Sequence, residues 1–262
     1  MSELEPLLTV LSPLIYGGAL VFLRVFTCLV MMPEFGTGYL PRRSRLILGL
    51  LISTAMYSGL GLPTVPVPEF LPNILIQVCR EILFGAALGL SVRVLIAVCQ
   101  MGGDLIGLSM GLSMSTFFDT TSGEAPLAMG RLFGLVAVML FISLGGHLVV
   151  AAALFEHLEA HPAGLLVVEL PSLEALAKIG LHMFETALLI AAPVVVITLL
   201  LNVAMAFVMR VVPSMNIFNI GIGILLIGGF IALSFEGQAL VVLLGHEIEA
   251  LPSRMHELAG GR

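Results

Sequence analysis

Apolar residues occur along this chain in long runs rather than in the alternating pattern of half-buried strands. The runs cover Leu7–Met32, Leu46–Leu62, Ile74–Val98, Leu127–Phe155, Leu181–Met209 and Ile217–Leu244. Several exceed the roughly 20 residues that a helix needs to cross a bilayer core. The pattern predicts an all-α integral membrane fold of about six long hydrophobic helices packed as hairpins. Excess length implies tilt, kinks or helices that leave the bilayer. Between the runs lie Pro33–Arg45, the proline-rich Pro63–Pro72, Met101–Pro126, the acidic Glu156–Lys178 and a short joint at Arg210–Asn216. These read as loops or re-entrant pieces.

Composition fixes the solvent. Hydrophobic residues make up 59% and charged residues 11%, with a mean hydropathy of +1.13. That leaves too little polar surface to coat a water-soluble globule, so lipid is the expected surrounding. A net charge of −6 with eleven Lys and Arg argues against a nucleic-acid partner, which needs clustered basic residues. The cluster Arg42, Arg43 and Arg45 reads as a topology anchor. Alternating sides from there groups it with Arg131 and Arg210 as cytoplasmic. Cys28, Cys79 and Cys99 sit in apolar runs and read as small buried hydrophobes. The start, Met-Ser-Glu-Leu-Glu, has no basic n-region, and the first run carries Arg24 and lacks an Ala-x-Ala-like site. The first run is therefore expected to stay as a helix rather than be cleaved.

Charges inside or beside the apolar runs define the first group of candidate residues: Arg24, Arg80, Glu81, Arg93, Asp104 and Glu185. A charge at the bilayer centre costs about 2.5–3.5 kcal/mol on insertion scales, so these side chains should face protein or water. They form either a polar conduit or, more commonly for such residues, salt bridges between subunits with snorkelling. Gly103, Gly107 and Gly111 stand at i, i+4 and i+8 and make a groove for another backbone, and Gly85 with Gly89 makes a second.

Two motifs invite chemistry and are set aside. Gly107-Leu-Ser109-Met-Gly111 matches a hydrolase elbow, with His147 and Asp119 as conceivable partners, but that elbow needs a strand, a sharp turn and a helix, and no strand is readable. His157 and His161 with Glu156 and Glu159 approximate metal-ligand spacing. They lack a Cys or third His nearby and read as a solvated face. No catalytic residue, metal or cofactor is expected. Met110 and Met114 share a helical face, and flexible methionines can close an aperture loosely as well as fill a core.

The segment Ile106-Gly-Leu-Ser-Met110-Gly111-Leu-Ser-Met114-Ser-Thr-Phe117-Phe118-Asp119 is similar to the mid-chain signature of the FliR family, the single-chain subunit of the flagellar type III export gate. Pro33 with Pro41, Arg42 and Arg45, then Glu81-Ile-Leu-Phe-Gly85 with Leu88-Gly89, Gly146-His147-Leu148 and Arg210-Val-Val-Pro213-Ser-Met-Asn216-Ile-Phe218 with Gly221 resemble further family blocks in order. The pattern departs at Thr120 and Gly223, where the family usually has Pro. The resemblance implies a noncatalytic subunit of the bacterial inner membrane, at the flagellar basal body. It would assemble with FliP and FliQ chains, contact FlhB and let unfolded flagellar proteins cross. It implies a pore plug over about Ile106–Gly123, with Ile106, Gly107, Met110, Gly111, Met114, Phe117, Phe118 and Gly123 as gating residues. It assigns assembly packing to Gly85, Gly89, Gly103, Pro213, Asn216, Phe218 and Gly221. The chain is then one membrane domain, 1–262, with N-terminal helices and plug loop in 1–126 and C-terminal hairpins in 127–262. A secondary transporter and an injectisome gate subunit are the rival readings. The first should show repeated halves, and none is found. The Met-Gly-Leu-Ser-Met-Ser-Thr-Phe block sets the chain apart from the second.

Overall fold

The computed structural model describes residues 4–33, 35, 41–112, 128–164, 173–211 and 217–258. They form α1 (Leu4–Met31), α2 (Arg42–Gly59), α3 (Leu71–Ser109), α4 (Ala128–Ser143), α5 (Gly146–Ala160), α6 (Leu173–Val211), α7 (Ile217–Glu249) and α8 (Leu251–Leu258). No strand occurs among the described residues. An apolar chain without water at its surface must satisfy its backbone internally, and a helix does so within one segment. The breaks follow residues that tolerate a left-handed backbone. Gly61 has φ 78° after α2, Gly111 has φ 78° after α3, and Gly145 has φ 76° between α4 and α5.

Four helices among the described residues are long and apolar enough to cross a membrane: Leu11–Met31, Leu71–Ser109, Ala177–Val211 and Ile220–Glu249. The fourth apolar run of the sequence is broken, because α4 and α5 bend by 67° at Gly145 and make one broken span or a re-entrant pair. Its second run forms α2, which fails the same test. The alternation of sides that grouped Arg42–Arg45 with Arg131 and Arg210 counted that run as a crossing. Two supposed loops are partly helical. Met101–Ser109 prolongs α3, and Glu156–Ala160 completes α5. Cys28 and Cys99 are buried as expected, whereas Cys79 is exposed.

The described chain divides into two compact units. The first comprises 1–93, 145–177 and 249–262. Within it α1 packs along α2, and α5 meets α8. Its core includes Leu20, Val25, Phe84, Leu88, Leu154 and Met255. The Tyr57 hydroxyl lies 2.8 Å from the carbonyl oxygens of Leu14 and Pro63, and burial raises the pKa of this phenol, which keeps it a donor. The second unit comprises 94–144 and 178–248. Its core includes Ile96, Ile106, Met110, Phe141, Val194 and Leu244. Only 22% of the crossing windows of α6 and α7 is buried, so most of their apolar surface is left for lipid or for other chains.

A buried ionic clamp and a glycine-notched helix

The first unit gathers Arg24, Arg80 and Glu81 at one point. Glu81 Oε2 accepts from Arg24 Nε at 2.6 Å, and Glu81 Oε1 lies 3.7 Å from Arg80 Nη1. The Gly164 N–H also reaches Oε1, at 3.4 Å. Arg24 Nη1 donates to the His161 carbonyl at 2.8 Å and faces His157 Nδ1 at 3.3 Å. A guanidinium only donates, so Nδ1 is the acceptor and Nε2 carries the imidazole proton. Phe84 lies beside both arginines, with its centroid 4.9 Å from Arg80 Cζ and 5.2 Å from Arg24 Cζ. The His157 and His161 rings stack at 4.7 Å. Gln77 accepts from the Tyr16 hydroxyl at 2.5 Å and donates to the Gly164 carbonyl.

Arg24 and Glu81 are fully buried, and Arg80 and His157 nearly so. Charges at such depth are tolerable only when paired and hydrogen-bonded. The pairing lies within this one chain, not between subunits as the sequence suggested for these residues. It joins α1 and α3 to α5 and the residues after it. Arginine does not give up its proton in proteins, so Arg24 and Arg80 serve here as fixed positive charges that hold the cluster together. The supposed solvated face of Glu156–His161 is corrected in the same way: Glu156 and Glu159 are exposed, but His157 turns inward against Arg24. Arg93 and Glu185 are exposed on this chain, and Asp104 is half-buried.

The glycines fall into grades. A Cβ on Gly85 would strike the Arg24 carbonyl, and one on Gly89 would lie 2.5 Å from the Cys28 carbonyl oxygen. In the second unit a Cβ on Gly103 would lie 2.7 Å from the Met129 carbonyl oxygen, one on Gly107 only 3.2 Å from Met129 Cβ, and Gly111 has open space around it. The grooves are filled by α1 and α4 of the same chain, while Gly111 serves as a left-handed helix end. Asp104 takes a hydrogen bond from the Gly130 N–H in the first turn of α4, where helix amides lack internal partners. Ile106 and Met110 are buried, and Met110 fills the notch at Gly229, where a Cβ would lie 2.6 Å from its Cγ. Ser109 donates to the Ile106 carbonyl at 2.8 Å within α3, so the hydrolase-like motif is a helix end and not an elbow. Gly221 is buried on α7. Met114, Phe117, Phe118, Gly123, Pro213 and Asn216, and the side chain of Phe218, lie outside the described residues.

Sequence reasoning missed three features. Glu236 is 8% exposed, and its Oε2 has no hydrogen-bond partner among the described residues; its place inside the last apolar run was the available signal. His182 Nε2 lies 3.1 and 3.2 Å from the two oxygens of Glu247 and 3.3 Å from Thr186 Oγ1. The inward turn of His157 could have been read from its i, i+4 relation to Ala153, also buried.

Long apolar helices, close glycine contacts and charges paired inside the chain define a helical integral membrane protein. The chain belongs to the bacterial export proteins, family 1, which it matches over residues 15–251. It is 31% identical to flagellar biosynthetic protein FliR of Pectobacterium carotovorum subsp. carotovorum, over 81% of this chain and 80% of that one. It is 32% identical to FliR of Escherichia coli (strain K12), over 76% of each chain. The same named protein of Aquifex aeolicus (strain VF5) is 27% identical over 88% of each. The FliR resemblance read from the mid-chain block is thereby borne out.

Proposed function

We propose that the chain is a structural and gating subunit of the flagellar type III protein export gate, forming part of the pore through which unfolded flagellar proteins cross the inner membrane. The observation that carries this reading is the kinship over residues 15–251, which reaches into both units and into each of the four crossing helices. The subunit is noncatalytic, sits at the basal body and assembles with FliP and FliQ chains beside FlhB. The ionic clamp keeps one unit rigid, and the exposed apolar faces of α6 and α7 suit contact with neighbouring chains. The plug is assigned to about Ile106–Gly123. Ile106 and Met110 act at its root, where α3 ends, and not at its tip.

The test is to co-express the tagged chain with its neighbouring membrane subunits, extract it in mild detergent and weigh the product by native mass spectrometry. A defined complex with one copy of this chain and several FliP and FliQ copies is expected; a lone monomer or homodimer would overturn the reading. Because Met110 belongs to the core, the deletion that probes the plug spans 112–118. The intact complex carrying it should leak small solutes, and a tight channel would remove the plug assignment.

A further inference from the structure

Most intramembrane charges of this chain are matched internally: Arg24 and Arg80 by Glu81, and Asp104 by the start of α4. Arg93 is different. It is exposed and has neither an ion pair nor a hydrogen bond with any described residue. It belongs to a stripe on α3 that runs through Leu75, Cys79, Leu83 and Leu90 at helical spacing, and every one of these residues is exposed. The adjoining face of the helix, through Glu81, Gly85 and Gly89, packs against the first unit's core, and Gly89 stands one turn before Arg93.

Depth decides what can cover this stripe. The midpoint of the 39-residue α3 is Leu90, and Arg93 stands about 5 Å further along the axis at 1.5 Å per residue. Were the helix centred in a hydrocarbon core of roughly 30 Å, the Arg93 Cα would lie about 10 Å below the headgroups. Lipid tails disfavour a charge there. A carboxylate matches the planar fork of arginine with two parallel hydrogen bonds, and the small Cys79 lets another helix approach closely.

We propose that the Leu75–Arg93 stripe of α3 is the seat of a transmembrane helix from a neighbouring membrane subunit, and that this helix presents an Asp or Glu side chain to Arg93. The proposal rests on the export-gate reading and names the chemistry of one contact within it. Glutamate at position 93 places two acids face to face; glutamine removes the charge without repulsion; lysine keeps the charge and loses the fork.

The experiment is the co-purification described above, with Arg93→Glu, Arg93→Gln and Arg93→Lys beside the parent chain and the amount of chain in the membrane measured for each. Arg93→Glu should lower recovered complex by at least about tenfold. Arg93→Gln should lower it less, and Arg93→Lys should retain most of it. A basic substitution at the facing acid of the neighbour, located by disulfide trapping from Leu90→Cys, should restore the Arg93→Glu complex. If the parent chain forms no complex, the export-gate reading itself fails. If the parent forms it and Arg93→Glu and Arg93→Gln recover equally well, the docking proposal alone is overturned. Full recovery with loss of co-purifying anionic lipid would assign Arg93 to a headgroup and equally overturn it. Where Arg93→Glu does not accumulate, Arg93→Gln decides, and unchanged recovery rejects the contact.

Discussion

The two units solve the same problem by different means. In the unit built from 1–93, 145–177 and 249–262, fully buried charges neutralise one another and tie α1 and α3 to α5. In the unit built from 94–144 and 178–248, α3 meets α4 through glycines, and Met110 fills a notch at Gly229. The first holds by charge pairing, where loss of one partner leaves a bare charge in a low dielectric. The second holds by shape, where a change is felt in proportion to the volume added or removed. The contrast teaches that one family of apolar helices need not rely on one kind of adhesive. Cys28 reports on the first unit and Cys99 on the second, since both thiols are buried. With Cys79→Ser as background, their labelling rates separate the two.

The largest effect is expected from Glu81→Ala. It leaves Arg24 and Arg80 buried without their carboxylate, a loss of about 3–5 kcal/mol. Cys28 should become reactive well before Cys99 when the detergent-extracted chain is warmed. The triple change Arg24→Met, Arg80→Met and Glu81→Leu should be milder than Glu81→Ala, because apolar replacement of a whole buried ionic group is often neutral. Labelling of Cys28 at the parental rate in Glu81→Ala would mean that the cluster is not what holds this unit.

A middle-sized effect tests shape. Gly103→Ala drives a Cβ into the Met129 backbone and should destabilise the second unit by about 1–3 kcal/mol, read as faster labelling of Cys99 with Cys28 unchanged. Gly111→Ala meets no atom, but its left-handed backbone should cost about 1–2 kcal/mol. Gly107→Ala needs only a small shift of the Met129 side chain and should be the mildest of the three. Equal effects at 103 and 107 would show that the glycine stripe acts by flexibility and not by close approach.

The same contrast explains what was legible in the sequence. Six apolar runs gave the helices almost at their observed positions, because a span of that length and hydropathy has few alternatives to helix. The break at Gly145 and the extension of α3 through Gly103 and Gly107 were hidden. Glycine serves equally as a helix breaker and as a contact surface, and only the neighbour decides. Arg24, Arg80 and Glu81 stood out as costly charges, but that their partners lie within one chain could not be read from spacing, since Arg24 and Glu81 are 57 residues apart. His157 was misread because the exposed Glu156 and Glu159 beside it set the tone of the segment. Arg93 and Glu236 carry the same signal as Arg24; one ends exposed and the other buried with an oxygen that has no partner among the described residues. A charge in an apolar run thus marks a place where something must pair, without saying with what.

The smallest effect is expected at His182. Its Nε2 serves both oxygens of Glu247 and also Thr186 Oγ1, so the hydroxyl and the carboxylate compete for one ring nitrogen. A catalytic relay needs them on opposite nitrogens, and the group is therefore a tie between α6 and α7. The His182 side chain is 40% exposed, and a pair this open to solvent contributes about 0.2–1 kcal/mol. His182→Ala should accelerate Cys99 labelling by no more than about fivefold. Glu247→Gln should do less, since its amide oxygen still accepts from the ring. A loss as large as that of Glu81→Ala would break the comparison, because it would show that the second unit also depends on ion pairing.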